Sequence, residues 1–102
     1  MDKETVAGRL NIYLEAVREY FDVKMMILYG SYAKGNERAD SDIDVAVVVD
    51  SLKEDILTSE AKLCRLRRNI DDRIQPILLE SQNDKSGFLE DIIKTGTLIY
   101  KQ

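Results

Sequence analysis

Two apolar runs, Met25–Tyr29 and Ile43–Val49, are separated by a polar segment that starts at Gly30-Ser31, and the second run carries a charged residue, Asp44, inside it. Each run is far shorter than the roughly 20 residues a membrane span needs. The second is rich in β-branched residues, so both predict strands of a largely covered sheet, and the segment between them is a connection from strand to strand. Around this pair the spacing becomes helical. Val6, Leu10, Tyr13, Leu14, Val17 and Phe21 recur at steps of three and four, which predicts an amphipathic helix over residues 3 to 21. Residues 53 to 70 repeat the pattern with Ile56, Leu57, Ala61, Cys64 or Leu63, and Leu66. A third strand is predicted over 73 to 79, where Pro76 lacks a ladder donor and so favours an edge or an irregular position. Asn83 or Asp84 is placed to cap a last helix through Phe88, Leu89, Ile92 and Ile93, Gly96 to end it, and residues 97 to 100 to form a short closing strand.

A length of 102 residues with 44% hydrophobic content suits one core, so residues 1–102 read as a single domain. Fifteen basic against nineteen acidic residues and no histidine leave a net charge of -4, which gives no general pull toward nucleic acid, and no direct nucleic-acid binding is expected. The start, MDKETVAGRL, lacks a basic end followed by an apolar block, so no export or membrane targeting is expected. Cys64 is the lone cysteine and has no partner for an intramolecular disulfide; its register reads as a buried core thiol in a reducing cytoplasm.

Side chains two apart on a strand share a face, so Asp42 and Asp44 would stand side by side. Two adjacent anions repel unless a cation lies between them. Mg2+ suits such a pair, because it takes one or two carboxylates and keeps its remaining positions for water and substrate phosphates. Gly30 lacks a Cβ and lets backbone approach a ligand, while Ser31 offers a hydroxyl and an amide to phosphate oxygens. Residues 31 to 34 are expected to form a brief helical turn whose amides favour an anion. Lys34 is a further candidate phosphate contact, with Arg38 weaker because loop cations are usually only solvated. Phosphate on one side and metal on the other describe a site for phosphoryl or nucleotidyl transfer.

Gly30-Ser31, ten intervening residues and Asp42-Ile43-Asp44 resemble the signature of the DNA polymerase β-like nucleotidyltransferase superfamily. Tyr32-Ala33-Lys34-Gly35 and Ser41-Asp42 narrow the resemblance to its minimal nucleotidyltransferase (MNT) branch. The resemblance implies an α/β (α+β) minimal fold, a small mixed sheet flanked by helices. It also implies Mg2+-dependent transfer of a nucleoside monophosphate, AMP from ATP, to a hydroxyl, with two metal ions possible. Gly30, Ser31 and Lys34 would hold the nucleotide, and Asp42 and Asp44 would ligate metal. Members of this branch are commonly paired with a HEPN-domain protein as antitoxins that adenylylate it, so a HEPN protein in a hetero-oligomer is the expected partner.

One position departs from that pattern. Active members bring a third carboxylate from the next strand, and here that place falls to Gln75, an amide that can ligate a cation but cannot act as a general base. Asp71 lies four residues earlier, roughly 13 Å along an extended strand; Asp72 has the wrong parity, and Glu80 sits at the far end. Two classes of function follow: a transferase acting on a partner protein, or a catalytically degenerate MNT module that neutralises a HEPN partner by occlusion. A weaker third is the catalytic subunit of a larger transferase. Tyr29 is expected to pack, Tyr32 is open between base and partner contact, and Arg65, Arg67 and Arg68 read as a solvated helix end.

Overall fold

A computed structural model describes residues 3–30, 42–83 and 86–102. The order is α1 (Lys3–Arg18), β1 (Met25–Tyr29), β2 (Ile43–Val49), α2 (Ile56–Leu66), β3 (Ile74–Glu80), a 3-10 turn (Ser81–Asn83), α3 (Phe88–Thr95) and β4 (Thr97–Lys101). The strands form one mixed sheet in the order β3-β2-β1-β4. β1 is antiparallel to both β2 and β4, and β2 is parallel to β3, the two joined through α2. Pro76 therefore lies on an edge strand, where its missing N–H faces no further neighbour.

Strand alternation divides the core in two. Met26 and Leu28, Ile43, Val45, Val47 and Val49, and Ile74 and Leu78 point to the face covered by α1 and α2, where Val6, Leu10, Tyr13, Val17 and Leu63 are fully buried. Tyr13 ties those helices together, its hydroxyl donating to the Leu63 carbonyl at 2.8 Å, and burial pushes its phenol pKa up. The opposite face carries Ile27, Ala46 and Val48, and among the described residues the buried side chains over it are Leu89 and Ile92 of the eight-residue α3. Gly96 ends α3 as expected, its N–H donating to the Ile92 carbonyl at 2.7 Å; a Cβ there would lie 2.7 Å from the Leu28 carbonyl oxygen, so the helix closes directly against β1.

Several boundaries differ from the sequence reading, each for a local reason. α1 stops at Arg18, and Phe21 packs on the core from beyond the helix. α2 starts at Ile56 because Asp55 caps it, its carboxylate accepting from the Thr58 N–H at 2.7 Å. α3 is capped by Gly87 and not by Asn83, which belongs to the 3-10 turn; Asp84 lies outside the described residues. Cys64 is half-buried, and the neighbouring Leu63 takes the core position. Arg65 and Arg68 are exposed as expected, whereas Arg67 is half-buried and donates to the Ile74 carbonyl, joining α2 to β3. No helix among the described residues is long and apolar enough to cross a membrane.

Candidate functional site

The ladder register places Asp44 opposite Tyr29 on one side and Gln75 on the other. Paired residues of neighbouring strands project to the same face. Tyr29, Asp44 and Gln75 thus form a row across β1, β2 and β3, on the thinly covered face and at its end beyond the Ile27, Ala46 and Val48 cluster. Asp44 is half-buried and Asp42, just before β2, is exposed.

Gly30 closes this row. Its φ of +73° is a conformation that side chains rarely adopt, and a Cβ added there would collide with the Asp44 carboxylate and lie 3.2 Å from its Cγ. The missing side chain is what admits the Asp44 carboxylate against the turn. Burial raises the Asp44 pKa, and the Asp42 charge raises it further. Such a pair, one half-buried carboxylate held against a glycine and destabilised by a second, fits a small divalent cation that would offset both effects. Among the described residues no three His, Cys, Asp or Glu side chains converge to hold a metal, in keeping with an amide at the third place in the row.

None of the other acids near β3 takes that place. Asp71 precedes the strand and is engaged elsewhere: its carboxylate accepts from the Arg73 backbone N–H at 2.9 Å and from Arg73 Nη2 at 2.7 Å, and it lies 3.5 Å from Arg9 of α1. These cations hold its pKa below the ordinary carboxylate value, Arg73 first. Asp72 is exposed, and Glu80 at the far end accepts from the Leu52 N–H at 3.2 Å. Ser31, Tyr32, Lys34 and Arg38 lie outside the described residues.

Tyr29 packs, as expected, but with a partner the sequence did not suggest. Its ring meets Phe88, the first residue of α3, edge to face with centroids 6.2 Å apart and an interplanar angle of 86°. Burial raises the Tyr29 phenol pKa, and the adjacent Asp44 charge adds to it. No periodicity links residues 59 positions apart, so Phe88 read only as one apolar residue of a helix.

The chain was compared with known proteins. The model of the family described as polymerase beta, nucleotidyltransferase matches residues 13–102. No curated protein matches the chain. Among solved structures, a protein described as a candidate nucleotidyltransferase from Sulfolobus solfataricus superposes with a TM-score of 0.72 at 21% identity, covering 100% of this chain and 91% of that one. A chain of a toxin-antitoxin crystallised with AMP-PNP gives 0.69 at 16% identity, covering 94% and 73%. A mutant of the toxin-antitoxin MntA-HpeT gives 0.65 at 16% identity, covering 90% and 73%. At these identities the structural likeness establishes a shared fold.

Proposed function

Because the chain belongs to the polymerase beta nucleotidyltransferase family, we propose that it transfers AMP from ATP to a hydroxyl of a partner protein, acting in the cytoplasm as the antitoxin of a HEPN toxin pair. The observation that carries the reading is the Asp44 carboxylate seated against Gly30 with the Asp42 charge beside it. Asp42 and Asp44 are the residues that would hold Mg2+. When bound, that ion stabilises charge developing on the phosphate oxygens. Gly30 lets the triphosphate reach the strand end, and Ser31 and Lys34 of the following segment are its further candidate contacts. The hydroxyl oxygen bonds to the α-phosphorus as the bond to the bridging oxygen breaks and pyrophosphate leaves. Gln75 cannot take the hydroxyl proton, which passes to solvent, so the reaction is slower than one with a carboxylate in that place. The toxin-antitoxin proteins among the structural neighbours support a toxin as the partner.

One observation favours a second reading, in which the domain binds ATP and Mg2+ but neutralises its partner by occlusion: the amide of Gln75 stands beside Asp44 in the place of a third carboxylate. Intact-mass measurement of a HEPN partner incubated with this protein, ATP and Mg2+ separates the two. Adenylate added to the partner, and lost with Asp42→Asn, supports the transferase. No addition from a complex that binds ATP supports the binding module.

A further inference from the structure

Phe88 is unusual among the aromatic residues of the sheet and its cover. Leu89 and Ile92, one and four residues later, bury themselves against β1 and β2 and account for the packing of α3. Phe88 remains 43% exposed, yet its position is defined: its N–H donates to the Ser86 hydroxyl at 3.3 Å and its ring meets the Tyr29 ring. Tyr29 is the ladder partner of Asp44. An open aromatic surface thus stands one ring beyond the Asp44 position. Phe88 also lines an open cavity of about 520 Å³ with Ser86, Gly87, Glu90, Asp91 and Lys94, where polar groups ring the aromatic surface.

A nucleoside triphosphate has the same two-part form, an anionic tail and a flat ring with polar edges. The tail would meet Gly30 and, through Mg2+, the Asp42, Asp44 pair. We propose that Phe88, packed edge to face with Tyr29, is the platform on which the base of the nucleotide stacks. This rests on the nucleotide reading above and adds to it the element that recognises the nucleoside. Stacking accepts any base, because every base has a π face, so the platform supplies affinity, and selection among bases falls to the polar groups at its rim.

Calorimetry with ATP and with inorganic tripolyphosphate, each with Mg2+, tests the platform. Tripolyphosphate has the tail without the base. Phe88→Ala is expected to weaken ATP binding about 5- to 10-fold, toward the low end for a stacked base because Phe88 is 43% exposed and a base on it stays partly in water. Tripolyphosphate binding should be unchanged. The chain has no tryptophan, so Phe88→Trp makes a single tryptophan that is excited selectively over the five tyrosines; its emission should quench with ATP and not with tripolyphosphate. Phe88→Leu keeps apolar bulk without a ring and serves where the alanine variant does not fold. Unchanged ATP affinity in the alanine or leucine variant overturns the platform alone, even if the complex with a protein partner is weakened. Equal loss for both ligands also overturns it. A wild-type protein that binds neither ligand overturns the nucleotide reading and the platform with it.

Discussion

Replacing Gly30 by alanine probes the tightest approach in the site, and its cost separates into two parts. The first is backbone: at a φ of +73° an alanine costs about 1–2 kcal/mol. For a domain near 100 residues each kcal/mol lowers Tm by roughly 4–8 °C, so this part predicts a fall of about 5–15 °C. The second is contact: the new Cβ meets the carboxylate, Cγ and Cβ of Asp44, the last two at 3.2 and 3.3 Å. Asp44 is only half-buried and its carboxylate can swing aside, so this part adds about 1 kcal/mol and appears mainly as displacement of the ligand oxygen. The expected phenotype is moderate destabilisation with loss of Mg2+-dependent nucleotide binding. Thermal melts of Gly30→Ala, Asp44→Ala and the double variant, with calorimetry on each, resolve the parts. In the Asp44→Ala background the glycine substitution should keep its backbone cost and lose its contact cost. Additivity of the two substitutions within about 0.5 kcal/mol would refute the contact. A Tm within a degree of wild type, with nucleotide binding intact, would refute the whole account of the turn.

Gln75→Glu restores a carboxylate beside Asp44 and should raise the transfer rate by about 10-fold or more, since an acid-base group contributes about 10²–10⁴-fold; an unchanged rate in a mass-shift assay would show that Gln75 does not occupy the base position. Asp71→Asn should cost about 1–3 kcal/mol at neutral pH, because the buried carboxylate, 7% exposed, accepts charge-assisted bonds from Arg73 and faces Arg9. Since the folded pKa of Asp71 lies below its unfolded value, that stability is present above pH about 4 and is lost as pH falls through the folded pKa; the wild-type advantage in denaturant melts should therefore shrink in acid, and a constant gap would contradict the assignment.

What the sequence disclosed and withheld follows from the range of the interactions. Asp42 and Asp44 sharing a face required only the two-residue period of a strand, whereas singling out Gln75 required the family resemblance, and the parallel pairing of β2 with β3 sets it beside Asp44. Pro76 announced an edge through its missing donor. Caps were harder. Asp55 has the side chain of a cap but falls inside the helical span read over 53 to 70, while Gly87 caps α3 with no side chain to advertise it. Arg67 looked like any basic residue at a helix end, and only the return of the chain along β3 brought the Ile74 carbonyl to it. Tyr29 and Phe88 meet because α3 folds back over β1, a fact carried by no local pattern. The segment 31–41, including Ser31 and Lys34, lies outside the described residues.

The two faces of the sheet carry unequal shares of the work. Among the described residues, two helices and most of the buried aliphatic side chains lie on the face turned from Asp44, whereas its own face has a short helix and little apolar cover. The free energy that keeps the chain folded is thus stored largely where no substrate goes. Residues around Asp44, Gln75 among them, can thus be exchanged at little risk to folding. A substitution on the edge strand beside Asp44 is then a change of occupation rather than of architecture.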